Sequence, residues 1–261
     1  MNMTAILTEE LPSILVSFAY RKAWARVRHL PWWREVVFDS GAFTAHKSGE
    51  PVDLGEFAEW VEEERARDPR ASEVFSLDVI GDWRASLKNT EELWKRGVEA
   101  IPVFHVGEPT TLLKALARDY PKVALGGAVG YRQKIEWAAI CFREVWPKRL
   151  HGLGFGHTAA RKLPFHTIDA SSWFFAAAGF GQYQSMGYLK GARNQKKNWL
   201  RSEVEYQLKE EARARAFWAG RLPADFGAAP SIRLATTATE KEMRALSPRR
   251  MGADEPLPGW G

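Results

Sequence analysis

The chain has 261 residues, with 37 Lys+Arg against 32 Asp+Glu for a net charge of +5, one cysteine (Cys141) and twelve tryptophans. One thiol can build neither an intramolecular disulfide framework nor a multi-cysteine zinc site, and a reducing, cytoplasm-like compartment fits it. Apolar runs such as 174–178 fall far short of the roughly 20 residues of a membrane span, and residues 1–12, with Glu9 and Glu10, lack the basic and apolar regions of a signal peptide.

Short β-branched or aromatic runs alternate with amphipathic helical stretches. In chain order, strands are predicted at 14–18, 36–38, 74–79, 101–105, 123–125, 150–153 and 166–169, with a weaker eighth at 183–188. Helices are predicted between them: 53–67 capped by Asp53, 90–96 closed by Gly97, 110–120, and 133–146 closed by Pro147. The boundaries have a mechanism, since Asp or Thr satisfies orphan N–H groups and Gly or Pro ends the ladder. A further helix is predicted over 203–219, started by Ser202 with Glu205 in capping-box spacing. Beyond Arg221 the composition of Pro, Gly, Ala and Arg predicts an irregular tail, so the division is one domain over 1–220 and a tail over 221–261. About eight strands alternating with helices at this length predict an α/β fold of the (β/α)8 TIM-barrel type, with a basic helical extension toward the C-terminus.

Charge is unevenly spread. Residues 1–100 carry −5, 101–200 carry +9 and 201–261 carry +1. Residues 170–202 hold no Asp or Glu but include Lys190, Arg193, Lys196, Lys197 and Arg201 among Trp173, Tyr183, Tyr188 and Trp199. Cations interleaved with aromatics suit a phosphate backbone with unstacked bases beside it; a solvated basic face has the same composition.

A TIM barrel collects its chemistry at the C-terminal ends of its strands. There the sequence places Asp39-Ser40-Gly41-Ala42-Phe43, Leu77-Asp78-Val79, His105, Gly126-Gly127, Leu150-His151-Gly152-Leu153-Gly154 and Asp169. Each alone has a plainer reading: an Asp as a helix cap, a His satisfied in the core, a Gly-Gly turn. Together, at one end of one sheet, they point to a site.

This order of motifs, spanning residues 38–173, resembles the tRNA-guanine transglycosylase superfamily, TIM-barrel enzymes that exchange a guanine in nucleic acid for a 7-deazaguanine. The most specific element is Asp39-Ser40-Gly41-Ala42-Phe43, near the family's Asp-Ser-Gly-Gly-Phe/Tyr. The resemblance implies Asp169 as the nucleophile on C1′ and Asp39 as the general acid/base. It implies that Asp78 holds the N–H groups of the base, helped by Ser40, His105 in place of a family glutamine, and the Gly126-Gly127 backbone. Phe43 and His151 would lie on the two faces of the base. Paired carboxylates suit this chemistry, because displacement at C1′ passes through an oxocarbenium-like state that one carboxylate stabilises while the other handles a proton.

The chain departs from the tRNA-acting members in two ways. Their zinc site of three cysteines and a histidine has no counterpart, and Asp169-Ala170-Ser171-Ser172 replaces their Asp-Cys-x-x-Pro-Thr-Arg. The expected relatives are therefore the zinc-less, DNA-acting phage and bacterial enzymes, with a 7-deazaguanine such as preQ0 as second substrate, no cofactor and no metal. Residues 170–202 would be the DNA-binding element, acting in the cytoplasm, that of a host cell if phage-encoded. tRNA is the alternative substrate; a non-catalytic nucleic-acid-binding barrel and a base-releasing N-glycosylase are alternatives of other classes.

Overall fold

The strand β1 (Ser13–Ser17) is buried at all five positions and so is β5 (Lys122–Gly126), as expected of strands in a parallel sheet covered on both faces. In this computed structural model residues 11–31, 33–171, 199–226 and 229–236 are described. The remaining strands among them are β2 (Glu35–Asp39), β3 (Ala71–Val74), β4 (Val103–His105), β6 (Arg149–Gly152), β7 (Thr167–Ala170) and β8 (Ser231–Thr236). All pairings are parallel, in the order β3-β2-β1-β8-β7-β6-β5-β4. The helices are α1 (Arg21–Ala25), α2 (Ala42–Ser48), α3 (Leu54–Arg67), α4 (Trp83–Lys95), α5 (Thr110–Asp119), α6 (Lys134–Val145), α7 (His157–Lys162) and α8 (Trp199–Trp218). No helix among the described residues is long and apolar enough to cross a membrane.

The sheet is strongly curled. Alternating strand residues point to opposite faces, and on the concave face Leu15, Val37, Phe75, Val103 and Ala124, from both halves of the sheet, pack in one cluster with Ile101. The opposite face carries Ile14, Val16, Val36 and Phe38 against α1 and α3, and Val123, Leu125, Leu150 and Ile168 against α5, α6 and α7. At the two edges an isolated parallel bridge joins Phe75 to Ile101. Ile101 N donates to Val74 O at 2.7 Å and Ser76 N donates to Ile101 O at 2.9 Å.

A buried ionic cluster spans the concave side near the N-terminal ends of the strands. Arg233 of β8, 1% exposed, donates to Glu73 of β3 at 2.8 Å and to Glu35 of β2 at 2.9 Å. Lys122 of β5 donates to both carboxylate oxygens of Glu73 at 2.9 Å. Contact between β3 and β5, which stand far apart in the strand order, requires the curl.

Six of the first seven strands and all five predicted helices overlap the positions where the sequence places them, with changes at the ends; the third strand, predicted at 74–79, shares only Val74 with β3. β3 starts earlier and stops at Val74, so 75–79 leaves the ladder after its one bridge. α4 begins at Trp83 rather than 90, because Asp82 Oδ1 accepts from the amides of Arg84 and Ala85 at 3.0 Å. Asp53 caps α3 as predicted, accepting from Glu56 N at 2.8 Å. α8 starts at Trp199, so Ser202 lies inside the helix and is not its cap.

The largest correction concerns the C-terminal stretch. The predicted strand at 183–188 lies outside the described residues, and β8 falls at Ser231–Thr236, inside the stretch expected to be irregular, where it pairs with β1 and β7. The sheet is therefore not contained in residues 1–220. Ile232 and Leu234 join the helix-facing core while Arg233 points inward, so an arginine interrupts the apolar run that marks the other strands.

Candidate functional site

Asp39 ends β2, Asp78 follows β3, His105 ends β4, Gly126 ends β5, His151 lies near the end of β6 and Asp169 lies in β7. In a parallel sheet these are all C-terminal ends, so the structure gathers them at one mouth.

Local geometry holds each carboxylate. Asp39 Oδ2 accepts from Gly41 N at 2.9 Å, and Gly41 has φ +77°. A Cβ there would lie 2.8 Å from Ser17 Oγ and 3.2 Å from Ala19 N, so the Asp-Ser-Gly order is sterically required. Ser40 is buried and its hydroxyl donates to Ser76 O at 3.0 Å, tying the β2 turn to the chain leading to Asp78. Asp169, 7% exposed, accepts at Oδ1 from Gly154 N at 2.8 Å, with His151 Nε2 3.2 Å from the same oxygen.

Burial is the largest influence on all three acids. It raises Asp39 to about 6, against the pull of the Gly41 amide, with the Asp78 charge adding to the rise. It raises Asp169 to about 7, opposed by the Gly154 amide and Arg233 and reinforced by Asp39. Asp78 is also raised by burial, although His105 acts to lower it. Asp39 thus interacts electrostatically with both other acids, and each negative charge makes the next ionisation harder.

His105 stands between two carboxylates: Nε2 lies 3.2 Å from Asp78 Oδ2 and Nδ1 lies 3.2 Å from Glu108 Oε1. Glu108 Oε2 also accepts from His105 N at 2.8 Å. Burial disfavours the cation, but bonding to Asp78 and Glu108 outweighs it and raises the imidazole to about 10. The other oxygen of Asp78, Oδ1, is buried and accepts no hydrogen bond among the described residues. A buried acceptor without a donor costs stability and marks where a ligand N–H would be satisfied. Gly126 supports the histidine, since a Cβ on it would lie 2.7 Å from Val103 Cγ1 and 3.0 Å from the His105 ring. Gly127, at φ +68°, turns the chain away beneath the same ring.

No family model matches the chain, and no curated protein matches it.

The expected aromatic contacts divide. Phe43 sits at the rim on α2, 56% exposed, with Lys47 Nζ 4.3 Å from its ring centroid. His151 is fully buried, its ring 4.4 Å from that of Phe75, and its polar atoms are engaged with Thr167 and Asp169. It lies beneath the mouth and holds Asp169, a different place from the open base face expected of it. Val79, Ile80, Val129 and Tyr131, also exposed, add apolar surface on the loops after β3 and β5. Lys190, Arg193, Lys196 and Lys197 lie outside the described residues; Arg201 lies on α8.

Three functional candidates escaped the sequence reading. Glu108 follows His105 by three residues across the turn at Gly107, a spacing that could have flagged it. Thr167 and the Gly154 amide approach Asp169 only through strand register and a loop, which no local pattern announces. Among the described residues no group of three or more His, Cys, Asp and Glu side chains could hold a metal ion. Cys141 is buried and its thiol is pushed up to about 12, which leaves it unreactive at neutral pH.

Proposed function

We propose that this protein is a DNA-guanine transglycosylase built on a (β/α)8 barrel, exchanging guanine in DNA for a 7-deazaguanine of the preQ0 type. The observation that carries the reading is the pair Asp39 and Asp169, a half-buried and a buried acid that feel each other's charge at the C-terminal ends of β2 and β7, with pKa values raised toward neutrality. Two acids that lose their protons near the working pH are what acid–base and nucleophilic steps at one carbon require. Barrel closure is supported by the Phe75–Ile101 bridge and by the Lys122–Glu73 contact.

In this reading a carboxylate oxygen of Asp169 attacks C1′ of a flipped nucleotide. The C1′–N9 bond breaks and Asp39 supplies the proton that the departing guanine takes up. A C1′–O bond to Asp169 holds the sugar while the bases exchange. The incoming 7-deazaguanine then gives its N9 proton to Asp39, attacks C1′ and expels Asp169, and two inversions retain the β configuration. In the free site the higher value belongs to Asp169, so the proton must move toward Asp39 as substrate binds; positive charge developing at C1′ favours the ionised nucleophile.

Asp78 Oδ1, the unsatisfied buried acceptor, is placed to receive N–H groups of the base, and exposed Phe43 offers a stacking face. DNA is favoured over tRNA because one cysteine cannot supply the zinc module of the tRNA-acting enzymes, and the same buried lone thiol suits a cytoplasmic protein. The test is incorporation of labelled preQ0 or guanine, offered with double-stranded DNA, single-stranded DNA or tRNA. Incorporation into DNA supports the proposal; incorporation into tRNA alone moves the substrate. Base release without incorporation makes it an N-glycosylase, and no reaction with any substrate overturns it.

A further inference from the structure

Behind Asp169 lies a polar pair that the proposed reaction does not use. Thr167 and Asp169 project from the same side of β7, and Thr167 stands opposite His151 in the β6–β7 register. Thr167 Oγ1 is 2.7 Å from His151 Nδ1, and His151 Nε2 is 3.2 Å from Asp169 Oδ1. Thr167 and His151 are both buried, so neither can exchange its partner for water.

With Asp169 ionised, one arrangement of protons satisfies all three groups: the Thr167 hydroxyl donates to Nδ1 and Nε2–H donates to the Asp169 carboxylate. The opposite tautomer would put N–H against the hydroxyl and a lone pair against the carboxylate. We propose that Thr167 and His151 are positioning residues, a buried hydroxyl–imidazole relay that fixes the His151 tautomer and anchors Asp169 by Oδ1, leaving Oδ2 to face the reacting carbon. That Oδ2 faces a reacting carbon rests on the transglycosylase reading; the relay does not.

The surrounding groups are consistent with a neutral imidazole. Lys122 of β5, Arg233 of β8 and His166, which precedes β7, all act on His151 against protonation, and burial holds it well below its ordinary value. Asp39 of β2, Arg233 and the Gly154 amide act on Asp169, and Lys134 of α6 feels the Asp169 charge. A neutral donor anchors the carboxylate without neutralising it as an imidazolium would.

The test needs no substrate. In 15N NMR of the wild-type chain, His151 is expected to be protonated at Nε2 and unprotonated at Nδ1 near pH 8; the opposite tautomer, or an imidazolium, overturns the relay. In Thr167→Val, which removes the hydroxyl and keeps the shape, Nδ1 loses its donor and the anchoring tautomer loses its advantage. The ionisation midpoint of Asp169, followed by 13C NMR of its carboxyl, is expected to rise by about one pH unit, the order of one hydrogen bond to a charged group. Thr167→Ser should restore it. An unchanged midpoint in folded Thr167→Val, or the same rise in Thr167→Ser, would count against the relay. If the wild type exchanges no base yet shows the expected tautomer and shift, the transglycosylase reading fails and the relay stands.

Discussion

Nε2 of His105 lies 3.2 Å from Oδ2 of Asp78, and the pair sits in the mouth of the sheet with Glu108 behind it. Because the folded-state value is raised to about 10, the stabilisation from this cation is complete below pH 6.5 and is lost as pH rises through about 10. His105 should therefore show both ring nitrogens protonated at pH 8 by 15N NMR. Glu108→Gln, which removes one of the two anions, should lower its midpoint by about one to two pH units. A midpoint near the ordinary histidine value in the wild type would refute the pairing.

The coupled pair Asp39 and Asp169 gives a pH dependence. Below about 6 both acids hold protons and no nucleophile is available; above about 7 both lose them and no acid remains. Base exchange is expected to peak between these values, as a bell-shaped profile of initial rate against pH. A rate that climbs steadily to pH 9 would remove the acid role of Asp39.

Substitution at Asp169 separates chemistry from stability. A carboxyl whose pKa is higher folded than unfolded contributes stability present below the unfolded value and lost as pH rises through about 7. Asp169→Asn should therefore abolish exchange while raising stability at pH 8 by about 4 kcal/mol, with little gain at pH 4. Urea unfolding at the two pH values checks this; an equal effect at both would mean that burial of the charge is not the cost.

Gly126→Ala places a methyl 2.7 Å from Val103 Cγ1 and about 3 Å from the His105 ring. Relief requires moving β4 or the imidazole, at about 1–3 kcal/mol. Exchange should fall by more than the loss of folded protein explains, read as rate per folded molecule by circular dichroism and labelled-base incorporation.

The inner ionic cluster predicts acid behaviour of opposite sign. Burial opposes the charge on Glu73, but Arg233 and Lys122 hold its value down to about 2, so its contribution is present above pH 4.5 and is lost as pH falls toward 2. Glu73→Gln strands the buried Lys122 and leaves Arg233 with Glu35 alone, and should cost about 3–5 kcal/mol in chemical denaturation. A loss under about 1 kcal/mol, the range of an exposed pair, would contradict the burial.

Much of the site was readable before the structure. Asp39, Asp78, His105, Gly126 and Asp169 each follow or end a short apolar run, and that position alone sends them to one mouth. Gly41 was readable as part of a motif, and the structure supplies the reason: a left-handed φ and a close approach to Ser17. His151 was readable as a site residue but not in its place, because its burial depends on Phe75, which directly follows β3 on the far half of the sheet.

By itself the sequence determined the alternation of strands and helices, the single thiol, and the set of acids and glycines at strand ends, because hydrophobic periodicity and capping are local. Only the tertiary structure decided which strand lies between β1 and β7, since Arg233 breaks the apolar pattern of β8 and is tolerated only where Glu35 and Glu73 converge on it. The same holds for Glu108 on His105 and for Thr167 behind His151. Their roles come from distances across neighbouring strands and turns, and the raised pKa values come from burial that no single segment of chain produces.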